Sequence, residues 1–392
     1  MEQISRFDFQ PKELCFEEWC DVKTGVKGFI SVFGSRSMPA AGGGIRVSPN
    51  LDMNDAGIIA QRMRQKFNLT GPGDSMSGLP INGAGIILQA RPEEVTPDLL
   101  IRFMQENNFV ERGIGTAAST GINTDGVCEA LGISHLQEPI ARALGVDLGR
   151  ARRSLALTQQ RIKAPVSQRH ARPTDVATGF SAAEIVHDLH SPLEMKKIGI
   201  IGFGACGGAF AAQAIDLGAE IVWIANSQGA ALTTFLNSFN RVFAAIQQRA
   251  TEPLPRLHLE SIEDNGSIIS LSSLLSHVNI DVLVLAGPEG AVTQELVALI
   301  PNNITIVSLA NKPFGADVDE AAIERRTNFV PARLCNLGNA VLFSLADLGC
   351  RAQDADDLLD RSIACSLQLA GKAKFVGMGE PIWHKTVTNF IE

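Results

Sequence analysis

The sequence contains no tyrosine and no C-x-x-C pair, and its acidic residues outnumber its basic ones. The seven cysteines are an odd number spread over 392 residues, which favours free thiols in a reducing compartment over a disulfide framework. The net charge of −8 argues against general nucleic-acid binding, because displacing counterions from phosphates requires an excess of lysine and arginine. Any anion-binding site must therefore be local.

Segments that would direct the chain to a membrane are also lacking. Residues 1–19 alternate charged and apolar side chains and show no basic stretch followed by an apolar core, so no signal peptide is expected. The longest apolar run, residues 198–212, is too short and too rich in glycine to cross a bilayer. We therefore expect a cytoplasmic protein.

The composition that remains is that of a globular α/β protein. Hydrophobic residues make up 45% and charged residues 19%, and 36 glycines indicate many tight turns. Because 392 residues exceed the usual size of one hydrophobic core, we expect two domains. We place a substrate domain of mixed α/β structure at residues 1–175 and a Rossmann dinucleotide-binding domain at residues 176–340.

Local patterns in the first 150 residues predict alternating strands and helices. Residues 28–33 have the pattern of a strand, and residues 52–69 carry apolar side chains at helical spacing. A helix is predicted over residues 97–107, after Thr96 as N-cap. Residues 79–88, LPINGAGIIL, suggest a strand end running into a glycine-rich turn that contains no acid, base or nucleophile.

An arginine-rich stretch follows at residues 150–172, with six arginines, one lysine and no acid. It is either a solvated linker or helix face, or an anion-attracting wall at the domain junction, since clustered like charge concentrates anions. Residues 178–189 then predict a helix that contains His187, with His190 just beyond it. No other Cys, His or carboxylate motif accompanies these histidines, so no metal site is expected.

The most specific signal is a βαβ unit at residues 196–227. A buried-type strand over residues 198–201 leads into Gly202-x-Gly204-x-x-Gly207, and an alanine-rich helix and a second strand over residues 220–224 follow. The three glycines permit the turn, the approach of a pyrophosphate and close packing of helix on strand. Later strands over residues 280–285 and 304–308 end beside the same crevice. The residues expected at the cofactor are Thr178, Gly202, Gly204, Ala205, Cys206, Gly207, Asn226, Ser227, Ala286, Gly287 and Asn311.

The end of the second strand bears on the choice of cofactor. The acid that would bind the ribose hydroxyls is absent, and Asn226 and Ser227 stand there instead. No carboxylate repels a 2′-phosphate, but no arginine or lysine follows at once to hold one. We favour NADP and leave NAD open.

Several further motifs resemble the glutamate/leucine/phenylalanine/valine dehydrogenase family over most of the chain. They are PAAGGGIRVSPNLD at residues 39–52, MRQKFNLTG at 63–71, ATG at 177–179, VSLAN at 307–311 and PARLCNLGN at 331–339. The resemblance implies that Lys66 holds a substrate carboxylate and that Thr178 and Asn311 lie near the nicotinamide. It also implies that Gly43, Gly44 and Asn336 contribute to the substrate site, and that a C-terminal helical segment, residues 341–392, packs back on the first domain. Without the resemblance, Lys66 would be interpreted as a solvated helix end and the amides as turn caps.

The sequence departs from the family pattern at both proton-handling positions. Gly85 stands where the resemblance places the catalytic lysine, and Gly113 where it places the aspartate. A segment of about seven residues, 72–78, is inserted after the Lys66 helix. Its Asp74 is a candidate replacement carboxylate or a solvent-facing turn residue. We predict Lys66 and Asp74 as catalytic residues and Gly43, Gly44, Gly85, Gly113 and Asn336 as substrate-binding residues.

These observations predict an NAD(P)-dependent oxidoreductase that acts on an unusual amino acid, an imine or a related carbonyl compound. It would work on a small molecule, most simply as a homo-oligomer. The alternatives are an inactive dinucleotide-binding homologue with a sensing or partner-binding role, and a non-redox enzyme that retains the dinucleotide.

Overall fold

The computed structural model describes residues 13–35, 37–70, 81–118, 125–163, 172–226, 229–232, 270–347 and 350–376. The chain forms two compact units. Within the described ranges, unit 1 comprises the chain up to residue 161 with residues 343–351 and 372–376, and unit 2 comprises residues 162–342 and 352–371. None of the described helices has the length and hydrophobicity needed to cross a bilayer.

Unit 1 is built on a five-stranded mixed sheet of order β1-β2-β4-β3-β5. The two pairs β1–β2 and β2–β4 are antiparallel, whereas β3 runs parallel to both β4 and β5. The strands are β1 (Glu13–Cys20), β2 (Lys27–Gly34), β3 (Ala41–Val47), β4 (Asn82–Gln89) and β5 (Ile114–Ala118). The helices are α1 (Met53–Thr70), α2 (Pro97–Glu106), α3 (Asp125–Ala130), α4 (Glu138–Ala143) and α5 (Leu148–Lys163).

The glycine-rich stretch at residues 82–85 is not a turn, as its composition suggested, but the first half of strand β4. Its glycines are explained by helix α1, which lies directly on the strand. A Cβ at Gly83 would lie 2.1 Å from the carbonyl oxygen of Ala60, and one at Gly85 would lie 1.9 Å from that of Ala56. Alternate side chains of a strand point to the same face, so both glycines open the face that α1 covers.

The helix predicted after Thr96 is confirmed. The hydroxyl oxygen of Thr96 accepts a hydrogen bond from the backbone N–H of Leu99 at 3.2 Å, which caps the first turn of α2. The apolar face of α2 buries Leu99, Leu100, Phe103 and Met104 against the sheet, and Phe103 contacts Trp19 and Phe109. These residues belong to the largest of the hydrophobic clusters that the structure describes in unit 1.

Unit 2 contains a six-stranded sheet of order β11-β10-β9-β6-β7-β8, parallel except for β8. Its strands are β6 (Lys197–Ile201), β7 (Glu220–Asn226), β8 (Gly229–Leu232), β9 (Val282–Leu285), β10 (Thr305–Ser308) and β11 (Asn328–Val330). The order changes direction at β6, which has β7 on one side and β9 on the other. This is the doubly wound arrangement expected for a Rossmann domain, and the predicted α/β fold is therefore confirmed.

Helices complete this unit and continue towards the end of the described chain. They are α6 (Pro173–Leu189), α7 (Ala205–Asp216), α8 (Leu271–His277), α9 (Gln294–Leu299), α10 (Glu320–Arg326), α11 (Ala332–Cys335), α12 (Gly338–Asp347) and α13 (Ala355–Val376). The predicted helix over residues 178–189 is present but begins five residues earlier, at Pro173. Proline suits this position because a first-turn amide has no intrahelical partner.

Candidate dinucleotide site

The chain leaves β6 through a loop that glycine alone can form. Gly202 has φ +94°, in the left-handed region, and its N–H donates to the carbonyl oxygen of Ala225 at 2.8 Å. A Cβ at this residue would lie 2.2 Å from the backbone nitrogen of Gly287. The loop after β6 and the loop after β9 therefore meet backbone to backbone, where a side chain would separate them.

Helix α7 begins at this loop and directs its N-terminus at the crevice. Gly204 is the N-cap and supplies no side chain to the first-turn amides. The next two residues, Ala205 and Cys206, are exposed and half-buried respectively. A Cβ at Gly207 would lie 2.1 Å from the carbonyl oxygen of Gly202, so the third glycine lets helix and loop pack closely. The positive end of the helix dipole makes such a terminus suitable for a phosphate.

The remaining cofactor candidates in unit 2 lie at the carboxyl ends of the sheet. Asn226 ends β7 and is half-buried, whereas Ser227 lies outside the described residues. Ala286 and Gly287 follow β9 directly, and the N–H of Ala286 donates to the carbonyl oxygen of Ile201. Ligands of doubly wound sheets bind outside these ends, where the strand order reverses.

The loops after β9 and β10 are joined to each other. The N–H of Gly290 donates to the carbonyl oxygen of Lys312 at 2.7 Å, and the N–H of Lys312 donates to Oε2 of Glu289 at 2.6 Å. Asn311, predicted near the nicotinamide, precedes this joint and is 6% exposed. These two hydrogen bonds hold the loops after β9 and β10 together.

Helix α6 brings Thr178 to the same region. A Cβ at the next residue, Gly179, would lie 2.5 Å from the carbonyl oxygen of Cys206, so α6 crosses the first turn of α7 at van der Waals distance. Thr178 is 3% exposed, and its Oγ1 accepts a hydrogen bond from the backbone N–H of Asn339 at 3.2 Å. The candidate near the nicotinamide is thus held by the start of α12.

Asn336, predicted at the substrate, ends helix α11 and is half-buried. Its Nδ2 donates to the carbonyl oxygen of Leu309 at 2.6 Å, just beyond β10. In this arrangement the amide ties α11 to the strand end.

The candidates of unit 1 lie on α1 and on the strands beside it. Lys66 is 9% exposed within α1, which is more buried than a solvated helix end would be. Gly43 and Gly44 lie in β3, and a Cβ at Gly43 would lie 2.0 Å from the carbonyl oxygen of Ala84 on the neighbouring strand. Gly85 is buried beneath α1. Asp74 lies outside the described residues.

Gly113 precedes β5 with φ +65°, and a Cβ there would lie 2.3 Å from that of Ala143 and 2.8 Å from the carbonyl oxygen of Pro39. The backbone therefore requires glycine. Its neighbour Arg112 donates to both carboxylate oxygens of Glu17, at 2.6 and 2.7 Å. This ion pair lies at a cavity of about 210 Å³ in unit 1.

The arginine-rich stretch is helical as far as residue 163, and several of its arginines have partners inside the protein. Arg152 donates to Glu138, Arg161 donates to backbone carbonyl oxygens of residues 346 and 350, and Arg172 donates to Asp175. Residues 164–171 lie outside the described part. Among the described residues, the arginines with these partners are tied to structure, which weakens the interpretation of the stretch as an anion wall.

Glu138 is fully buried, although it carries a charge. Burial alone would raise the pKa of its carboxyl group, but hydrogen bonds from Arg152, from the N–H and hydroxyl of Ser134 and from Arg142 outweigh burial and lower the pKa to about 2. The group links α4 to α5 and is structural.

His187 is likewise structural, since its Nδ1 accepts a hydrogen bond from the N–H of Leu193 at 3.1 Å. In the described ranges, no three His, Cys, Asp or Glu side chains are grouped as a metal ion would require. Two features of the site were not predicted from the sequence. They are the hydrogen bond between Glu289 and Lys312 and the contact of Asn339 with α6. Asn339 lies in the motif at residues 331–339, but that motif gave it no role, and both features depend on segments that meet only in the folded chain.

The chain is 27% identical over 176 residues to NADP-specific glutamate dehydrogenase A1 of Halobacterium salinarum. That match covers 45% of this chain and 40% of the relative, so the similarity spans less than half the length of either protein. A hetero-hexameric glutamate dehydrogenase from Thermus thermophilus, solved in a Leu-bound form, matches with a TM-score of 0.59 at 18% identity, over 97% of this chain and 88% of that one. The glutamate dehydrogenase of Peptoniphilus asaccharolyticus gives 0.53 at 17% identity, over 97% and 90%. At such identities the structural matches show a shared fold.

A family model matches part of the sequence, most of it in unit 2. Residues 170–353 match the model described as Glutamate/Leucine/Phenylalanine/Valine dehydrogenase, and this segment contains the glycine loop, the loops after β9 and β10, Thr178 and Asn336. Over this segment, slightly less than half of the chain, the sequence is similar to the glutamate/leucine/phenylalanine/valine dehydrogenase family.

Proposed function

We propose that the protein is an NAD(P)-dependent oxidoreductase of the amino-acid dehydrogenase type with altered catalytic groups. The observation that carries this proposal is the meeting of three elements at the turning point of the unit 2 sheet: the Gly202 loop, the N-terminus of α7 and the loop after β9. A Cβ at Gly202 or Gly207 would lie within 2.2 Å of backbone atoms there, which accounts for the glycines at this turn. The arrangement fits a dinucleotide whose pyrophosphate lies at the first turn of α7.

NADP is the cofactor that we favour, with NAD as the alternative. Asn226 ends β7 without a carboxylate, so a 2′-phosphate would meet no repulsion from this residue. The Halobacterium salinarum relative, by its name, is specific for NADP. Both observations support the choice, and competition between the two cofactors tests it.

The substrate proposed is an unusual amino acid, an imine or a related carbonyl compound. The nicotinamide, when bound, supplies hydride chemistry. Lys66 would hold the substrate carboxylate, and Asp74, water or the substrate itself would handle the proton. The backbone around Gly85 and Gly113 leaves no room for an ionisable side chain at either residue. The site would then be less polar than one that contains a lysine and an aspartate, and would accept a bulkier or differently anchored substrate.

A second candidate function is dinucleotide binding without redox chemistry, in a sensing or partner-binding role. It is favoured by Gly85 and Gly113, since neither position has room for a side chain that could transfer a proton. Such a protein would bind the dinucleotide but transfer no hydride.

Isotope transfer separates the two functions. The enzyme is incubated with C4-deuterated NADPH and a panel of keto acids with ammonia, imines and related carbonyl compounds, and products are analysed by mass spectrometry. Deuterium in a product supports the oxidoreductase. Tight dinucleotide binding without label in any product supports the second function. We further propose that the protein is a cytoplasmic homo-oligomer. Sedimentation analysis of the purified protein tests its oligomeric state.

A further inference from the structure

Asn339 fastens the start of α12 to the first turns of α6. Its Nδ2 donates to the carbonyl oxygen of Thr174 at 3.0 Å, and its backbone N–H donates to Oγ1 of Thr178 at 3.2 Å. A Cβ at the preceding residue, Gly338, would lie 2.1 Å from the carbonyl oxygen of Ala177, so no side chain fits between the two helices. Two polar groups of one residue thus reach α6 one turn apart.

The two hydrogen bonds together determine what the Thr178 hydroxyl can do. A helical threonine commonly donates its hydroxyl hydrogen back to the carbonyl oxygen four residues earlier, which for Thr178 is Thr174. That oxygen faces the amide N–H of residue 178 along the helix and also accepts from Asn339. Because the Thr174 carbonyl oxygen already accepts both of these hydrogen bonds, the hydrogen of the Thr178 hydroxyl is left to be donated elsewhere. The described part of the chain shows no acceptor for it.

The side chain of Asn339 is held by its donor end alone. Its Oδ1 is buried and has no hydrogen-bond partner within the described structure. An unpaired buried acceptor is unfavourable for stability, so the amide is not explained by stability alone. Its Nδ2, in contrast, donates to the carbonyl oxygen four residues before Thr178, an acceptor that the Thr178 hydroxyl could otherwise use.

Thr178 also lies where a ligand would receive this hydrogen. Gly179 packs on the carbonyl oxygen of Cys206 in the first turn of α7, and Asn336, three residues before Asn339, is bonded to the strand end after β10. A dinucleotide with its pyrophosphate at α7 extends its second nucleoside over β9 and β10. Thr178 is 3% exposed, so its side chain has little contact with solvent even without a bound ligand.

We propose that Asn339 is a positioning residue, which occupies the Thr174 carbonyl so that the Thr178 hydroxyl donates to a carbonyl oxygen on the nicotinamide half of the cofactor. The carboxamide oxygen of the nicotinamide has the required chemistry. The proposal rests on the proposed dinucleotide function and adds the residue that orients the donor. Asn339 ends the motif at residues 331–339, which assigned it no role.

The test compares the binding of NADPH with the binding of 2′-phospho-ADP-ribose, which lacks the nicotinamide, by titration calorimetry. Asn339→Ala and Thr178→Val should each weaken NADPH binding about 3- to 10-fold, the effect of one neutral hydrogen bond, and leave 2′-phospho-ADP-ribose binding unchanged. The double variant should lose no more than either single variant, because both remove the same bond. Thr178→Ser, which keeps the hydroxyl, should bind NADPH like the unaltered protein.

Other outcomes overturn the proposal. Equal weakening of both ligands by Asn339→Ala would show a structural role only, and unchanged NADPH binding in that variant would remove the role altogether. If Asn339→Ala does not fold, the pair Thr178→Val and Thr178→Ser decides, since equal NADPH affinity in the two excludes a hydroxyl donor. Failure of the unaltered protein to bind either ligand would refute the dinucleotide function itself, a result distinct from the loss of nicotinamide-specific binding.

Discussion

At the scale of single residues, the glycines of unit 1 and unit 2 do different things. Those of the Gly202 loop allow two loops to meet and leave a helix N-terminus open for a ligand. Those of β4, in contrast, face the backbone of α1 and act by packing. The same residue type in two glycine-rich stretches therefore indicates a site in one case and a close helix–strand contact in the other.

The packing role predicts that Gly85→Ala destabilises the protein. A Cβ 1.9 Å from the carbonyl oxygen of Ala56 forces α1 away from the sheet, and overpacking of this kind costs about 1–3 kcal/mol. Gly126→Ala is the matched control, because Gly126 lies in α3 with nothing within 4 Å of its Cβ position. Thermal unfolding measures both. Equal melting temperatures for Gly85→Ala and the unaltered protein would contradict the contact between α1 and β4.

Lys66 and Asn336 show how far single residues could be interpreted from the sequence. The family resemblance implied that Lys66 is not an ordinary solvated lysine. Its side chain is indeed buried, at 9% exposure, although this does not test its role. The hydrogen bond of Asn336 to Leu309 had no counterpart in the sequence, since its partner lies 27 residues away. Contacts of that kind are fixed by the tertiary fold and leave no local pattern.

At the scale of elements, periodicity located helices α1, α2 and α6 and the central strands of unit 2, and an error arose where packing overrides composition. The helix α2 was found with its cap because Thr96 and the apolar spacing are local signals. The stretch at residues 82–85 was misinterpreted as a turn because glycine disfavours strands, and only the proximity of α1 explains it. The pattern of the arginine-rich stretch did not predict that Arg152 pairs with a buried acid, Glu138, which precedes the stretch in the sequence.

That buried acid predicts a pH dependence for the α4–α5 contact. The folded-state pKa of Glu138, about 2, lies below its ordinary value of 4.5, so its charge stabilises the fold fully above pH 4.5. This contribution is lost as the pH falls from 4.5 towards 2. Glu138→Gln should therefore lower stability at pH 7 and flatten the dependence of unfolding free energy on pH below 4.5, as chemical denaturation would measure.

The control for this prediction is Glu94→Gln. Glu94 pairs with Arg91 on the surface at 2.8 Å, with both side chains at least 40% exposed. Exposed pairs contribute about 0–1 kcal/mol, so this variant should change little. Equal effects of the two substitutions at pH 7 would show that the Glu138 network is no stronger than a surface pair.

At the scale of the whole molecule, the proposed cofactor should stabilise the protein. A ligand that binds only the folded state adds about 2.7 kcal/mol at a hundredfold excess over its dissociation constant. NADPH or NADH should raise the melting temperature, and Gly204→Val should abolish the rise, because a side chain at the N-cap of α7 would occupy the place of the pyrophosphate. An undiminished rise in Gly204→Val would move the binding site away from this loop, and no rise with either cofactor at millimolar concentration would refute the dinucleotide function.

The match of residues 170–353 to the dehydrogenase family model favours redox activity, whereas the lack of room for side chains at Gly85 and Gly113 argues against the usual proton transfer. A positioned general acid or base contributes about 10²- to 10⁴-fold to a rate, so a site without the lysine and aspartate should lose several orders of magnitude on ordinary substrates. We therefore expect near-undetectable reduction of NADP or NAD with glutamate, leucine, valine or phenylalanine at alkaline pH. Gly85→Lys should not restore this activity, since the lysine would project into the backbone of α1.

The measurement is absorbance at 340 nm over a panel of amino acids, with a competent amino-acid dehydrogenase as the positive control. Gly85→Lys is checked for folding in parallel, because its loss of stability is itself expected from the contact with Ala56. Rapid turnover of any ordinary amino acid by the unaltered protein would show that Gly85 and Gly113 do not stand at the proton-handling positions, or that Asp74 replaces them. Asp74→Asn then distinguishes these cases: lost turnover assigns the proton to Asp74, whereas retained turnover places the acid–base groups elsewhere in the chain and removes the basis for altered chemistry.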